Sequence, residues 1–161
     1  MGYGVVDSDP RPEAGDYGVI ALPRFMPLEQ RLYQMYTHVL NMISIFQPDV
    51  IAVEEPFLGK GDKLFVGPAL AVGQAQAVIL IGAAGQGVPL FRYTPAQVKS
   101  SVAAYGAATK EQMQRSVTMT LGLKETPESD AADALSICLC HLIQSQAENA
   151  LGREIRPGSE R

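Results

Sequence analysis

Apolar residues are spaced along the chain in two distinct periods, and the alternation of those periods predicts an α/β order of elements. Gly2 to Val6 is a short apolar run, and Tyr17 to Leu22 is a second. Between them, Asp7 to Asp16 holds two prolines, a glycine and several charges, so the two runs are expected to form a hairpin across a loop. Leu28, Leu32, Met35, Tyr36, Val39, Met42, Ile43 and Phe46 recur at three- and four-residue steps, which predicts a helix over 28–46 stopped by Pro48. Val50 to Val53 is a short buried strand that runs into Glu54, Glu55 and Pro56. Ala69 to Ala84 is built of small residues and is apolar nearly all round, so it is expected to be a helix covered on both sides. Val88 to Tyr93 is another strand, and Thr94, Pro95 and Gln97 open a short helix that carries Lys99. Thr109 with Gln112 three residues on has the form of a capping box. Ser129 is the expected cap of a last helix running to about Ala147.

Strand, strand, helix, strand, helix, strand and three helices make an α/β domain with a mixed sheet. The length of 161 residues fits one domain, taken as 1–147, with a polar and flexible tail over 148–161. Hydrophobic residues at 47% and charged residues at 19% describe a globular chain. The apolar stretch near Ala75 is broken by Gly82 and Gly85 and is too short to span a bilayer, so no membrane partner is expected. No basic-then-apolar leader is legible at the start. Cys138 and Cys140 have no second pair, which excludes a disulfide framework and a cysteine-rich zinc site and fits a reducing cytoplasm.

The net charge of −4 argues against nucleic acid, but its distribution changes that picture. Residues 1–57 carry three basic and eight acidic groups, and residues 116–161 carry four and seven. Between them, Lys60, Lys63, Arg92, Lys99, Lys110 and Arg115 face only Asp62 and Glu111. A basic middle with acidic flanks suits a surface for a phosphate backbone beside a carboxylate cluster; it also suits ordinary scatter on a mixed surface.

Glu54 ends a buried strand, the place where ligands collect in open α/β sheets. Asp130 and Asp133 lie three apart at the start of the last helix and share a face, with alanines around them. Acids in a first turn also stabilise the helix dipole, and a lone strand-end glutamate often marks only where the strand meets water. Three acids converging on one point would suit Mg²⁺, a hard cation that takes oxygen ligands. Paired metals held in this way support in-line hydrolysis of phosphodiesters. His141, eleven residues after Asp130, is read as a partly buried helix residue with a hydrogen bond, or else as support for the acids. His38 is read as a surface residue.

The segments GYGVV, QPDVIAVEEPF, VGQAQAV, VPLFRYTPAQVKSSV, ATKEQMQ and SDAADALSICLCH, taken together from Gly2 to about His141, resemble the RuvC-type Holliday junction resolvases. The resemblance implies an RNase H-like fold, a mixed five-stranded sheet flanked by helices. It implies a homodimer that nicks four-way DNA junctions symmetrically in recombination and repair, with two Mg²⁺ per site and a branch-migration motor as partner. Glu54, Asp130 and Asp133 fall on the family's metal-binding carboxylates, Lys99 and Lys110 on its DNA-contacting lysines, and Phe57 on an aromatic that stacks on or prises apart bases. Without the resemblance, the two lysines read as solvated helix ends and Phe57 equally as a core residue beneath its loop.

The family pattern begins one strand earlier, with a central strand that carries a further aspartate; here GYGVV follows Met1 directly. Asp7, Asp9 and Asp16 do not stand in that aspartate's place. The resemblance therefore leads us to expect either a longer natural protein or a relative that binds junctions with impaired cutting. A non-catalytic DNA-binding module and an unrelated small-molecule domain are the rival classes.

Overall fold

A computed structural model describes residues 1–23, 25–55, 66–103 and 108–152, with side chains of 66–68 excepted. The described residues form four strands and five helices. They are β1 (Gly2–Asp7), β2 (Glu13–Val19), α1 (Leu28–Phe46), β3 (Ile51–Glu54), α2 (Val66–Gly85), β4 (Leu90–Tyr93), α3 (Pro95–Ala103), α4 (Lys110–Thr120) and α5 (Ser129–Ala150). The expected order is observed. Among the described residues the strands pair as two ladders, β1 with β2 and β3 with β4. The chain forms two compact units, one of Met1–Ala21 with Tyr93–Arg161 and the other of Leu22–Arg92.

In the first unit, β1 and β2 run antiparallel, the expected hairpin, with Gly4 opposite Tyr17 and Val6 opposite Ala14. The second strand begins at Glu13, earlier than the apolar run suggested, because a bulge between Val5 and Val6 takes up Gly15. Side chains alternate faces along a strand, so Ala14 and Tyr17 would otherwise point apart; the extra residue restores the phase. Both then pack, with Val6, against the core of Val117, Leu121, Leu135 and Leu139. The turn is shorter than expected and is held by Asp7, whose carboxylate accepts from the Asp9 amide, and by an Arg11–Glu13 ion pair of 3.0 Å.

Helix α5 lies directly on β1, and two glycines permit that approach. A methyl group on Gly2 would strike the Asp130 backbone, and one on Gly4 would lie 2.7 Å from Leu135 Cδ2. Small residues answer from the helix side, where Ala131 and Ala132 are buried. Helices α3 and α4 pack on α5. Thr109 and Gln112 form the expected capping box at the start of α4. Thr94 and Gln97 exchange the same pair of bonds at the start of α3, where Pro95 takes the first helical position. Ser129 does not cap α5 as expected. Glu128 is the cap residue, and it makes no side-chain cap bond. Ser129 is already helical, its Oγ buried without a hydrogen-bond partner among the described residues. The helix extends to Ala150, three residues past the expected end.

In the second unit, α1 matches its predicted span and ends at Gln47, which takes a left-handed conformation before Pro48. Helix α2 packs on α1 where Gly82 meets Val39. Among the described residues, the expected cover of α2 on both sides is not seen. Its apolar character is uniform, yet only one face finds α1. Leu70, Val72 and Ile81 are exposed, as are Tyr33 and Ile45 of α1. Strand β3 pairs with β4, and the Ile51 amide donates to the Pro89 carbonyl at 2.8 Å.

Candidate functional site

Helix α5 positions two of the candidate carboxylates. Its inward face is Ala131, Ala132 and Leu135, packed toward β1, and Asp130 and Asp133, off that face, are exposed. Spacing of three places them on one side of the helix, as the sequence predicts. Lys110 is the first residue of α4. Its Nζ lies 3.3 Å from Asp133 Oδ2, with about half of each side chain exposed to solvent (53% and 51%). The starts of α4 and α5 are tied further by Gln114, which donates to the Pro127 carbonyl at 3.2 Å. Helix N-termini carry partial positive charge, so this corner offers both carboxylates for a cation and a favourable potential for phosphate. Lys99 lies in α3 of the same unit, partly exposed.

Glu54 ends β3 in the other unit and is exposed, while Val53 beside it is buried. Its backbone carbonyl accepts a hydrogen bond from the Gln76 side chain of α2, which fixes the strand end against that helix. Phe57, Lys60 and Lys63 lie outside the described residues. Among the described residues, no three His, Cys, Asp or Glu side chains gather as a metal cluster. The chemistry of the Asp130–Asp133 pair nonetheless suits a hard cation, and an ammonium already stands against Asp133 in a cation's place.

His141 is buried and hydrogen-bonded, its Nδ1 lying 2.7 Å from the hydroxyl of Tyr93, which is itself buried. The pair lies within the first unit and joins α5 to the residue just before the Thr94 turn into α3. Spacing carries no sign of this role for Tyr93, because a strand-end tyrosine 48 residues from its partner leaves no periodic trace. Burial depresses the His141 pKa below 6.5 and raises that of Tyr93 from 10.0 to about 12. Each shift favours the neutral form in the folded state, so the unfolded chain protonates at His141 and ionises at Tyr93 more readily. Stability contributed by His141 is expected to fall as pH drops through 6.5, and that from Tyr93 as pH rises through 10.0 toward 12. Tyr93→Phe is expected to remove the alkaline arm and to cost about 1–3 kcal/mol at neutral pH. Urea titrations at neutral and alkaline pH check both effects.

His38 is exposed, as expected. Cys138 and Cys140 are free thiols. Burial pushes the Cys138 thiol up to about 11 and raises that of Cys140, so both stay protonated and neither serves as a nucleophile at neutral pH. The open depressions found among the described residues are lined by Glu29, Gln30, Tyr33 and Gln34 on α1, and by α4 residues with Thr126. Neither is an enclosed small-molecule pocket. No helix among the described residues is long and apolar enough to cross a membrane.

The profile of the family described as crossover junction endodeoxyribonuclease RuvC matches residues 1–141. A crossover junction endodeoxyribonuclease RuvC of Chloroflexus aggregans is 46% identical over 143 residues, covering 88% of this chain and 85% of that protein. The RuvC structure of Thermus thermophilus matches with a TM-score of 0.79 at 32% identity, covering 97% of this chain and 92% of that one. The structure of that RuvC in complex with a Holliday junction substrate matches with the same TM-score at 34% identity, covering 89% and 87%. The fold is thus the RNase H-like α/β fold of those structures.

Proposed function

The chain belongs to the RuvC family of crossover junction endodeoxyribonucleases, and from that premise we propose that it nicks four-way DNA junctions symmetrically, as a homodimer, with Mg²⁺. A close match to a structure that holds a junction substrate supports the choice of DNA. The single observation that carries the chemistry is local. Asp130 and Asp133 stand exposed on one side of α5, and Lys110 sits 3.3 Å from Asp133. Carboxylates for a hard cation and an ammonium for phosphate are the complementary halves of a phosphodiester site.

Glu54, Asp130 and Asp133 are the residues that would hold Mg²⁺, two ions in the complete site. When bound, the metal supplies an activated water and neutralises charge on the scissile phosphate. Lys110 and Lys99 bind the DNA backbone, and Phe57 stacks at the junction. Leu70 and Ile81, which share one side of α2 and are exposed among the described residues, support the dimer, since apolar surface is costly to leave in water. A branch-migration motor as partner, action in recombination and repair, and a cytoplasmic location rest on family membership alone.

A second reading is junction binding with impaired cutting. Competition binding tests what the two readings share. A four-way junction is expected to displace labelled junction from the protein far better than linear duplex of the same sequence does. Binding is also expected to weaken steeply as salt rises. Equal competition by duplex would refute selectivity for the junction.

A further inference from the structure

We propose that the Lys110 ammonium is a built-in counter-cation of Asp133, which a divalent metal must displace before that carboxylate is free to ligate it. The proposal rests on the reading of Asp133 as a metal ligand. Among the described residues, Lys110 is the one ion-pair partner of Asp133, at 3.3 Å. An ammonium and a divalent ion cannot both sit on one carboxylate without strong mutual repulsion. The pair is exposed enough to exchange, and surface pairs of this kind shift an equilibrium by only about 1.4- to 5-fold.

Two features make Lys110 the partner that leaves. It is the first residue of α4, where the helix N-terminus disfavours a cation, so Asp133 compensates a local repulsion. The helix start is built without the lysine, because Thr109 and Gln112 cap each other's backbone. The side chain is therefore free to swing away with the helix unchanged. On this account a DNA phosphate that draws Lys110 off leaves Asp133 open to metal, and by linkage metal and DNA strengthen each other's binding.

The test is Mn²⁺ binding to the whole chain without DNA, followed by the electron paramagnetic resonance of free Mn²⁺. Lys110→Met is expected to bind Mn²⁺ about two- to five-fold more tightly than the unsubstituted protein. Lys124→Met, the same charge change beyond the other end of α4, is expected to leave affinity unchanged. In an Asp133→Asn background, Lys110→Met is expected to give no gain, because its partner is already gone. No gain from Lys110→Met in the otherwise unsubstituted protein, or the same gain in the Asp133→Asn background, overturns the proposal. If instead Asp133→Asn alone leaves Mn²⁺ affinity untouched, the reading of Asp133 as a ligand fails.

Discussion

Asp133→Asn is expected to slow junction nicking by on the order of a hundredfold or more while leaving junction binding in place. Altering groups that merely orient metal ligands costs about 10- to 100-fold in affinity or activity, so loss of a ligand's charge costs at least that. The substitution is nearly isosteric on an exposed helix face, so the fold has little reason to respond. Binding has a reason to survive. Removing the carboxylate releases Lys110 from its 3.3 Å ion pair and removes a negative charge from beside the DNA. Glu54→Gln is expected to behave in the same way from the other unit. Single-turnover nicking and equilibrium junction binding, measured on one preparation, separate the two effects. Nicking that persists at its original rate in both variants would remove these acids from the mechanism.

Leu135→Ala carries the largest expected loss of stability, about 2–5 kcal/mol. Leu135 is fully buried in the core it shares with Val117, Leu121 and Leu139. The site has little freedom to collapse after truncation. On one side its neighbour is Gly4, whose backbone is held in the ladder opposite Tyr17 and has no side chain to fill a gap. On the other side α4 is anchored by its cap and by the Gln114–Pro127 bond. A typical domain has only about 5–15 kcal/mol in total, so the loss is a large share of it. Leu135 also lies two residues from Asp133 on the helix, so its loosening is expected to disturb the acid pair as well. The midpoint of urea unfolding checks the stability; a change below about 1 kcal/mol would mean the helix repacks on β1 without hindrance.

What could be read from the sequence was the local structure. The spacing from Leu28 to Phe46 gave α1 its bounds because one apolar face dominates it, and the Thr109–Gln112 pair announced the start of α4 because a cap is written within four residues. The shared face of Asp130 and Asp133 followed from their spacing alone. Misreadings came where the deciding contact is distant. The bulge at Gly15, which lengthens β2, depends on which residues meet the α5 core. Ser129 resembles a cap, but α5 begins at Ser129 itself, one residue earlier than its side-chain type suggests, with Glu128 in the cap position. The exposure of Leu70 and Ile81 on α2 among the described residues was hidden by composition, since an all-round apolar helix does not say how many neighbours it has. Neither the Lys110–Asp133 pair nor the Tyr93–His141 bond leaves any trace in spacing.

The most direct test of the central claim is to map strand breaks. The 161-residue chain is incubated with an end-labelled four-way junction and with linear duplex of the same sequence, with Mg²⁺ and with a chelator. The account predicts paired nicks at symmetric positions in the junction, only when Mg²⁺ is present, and none in the duplex. Duplex nicked as readily as junction, or a junction neither bound nor nicked, would contradict it.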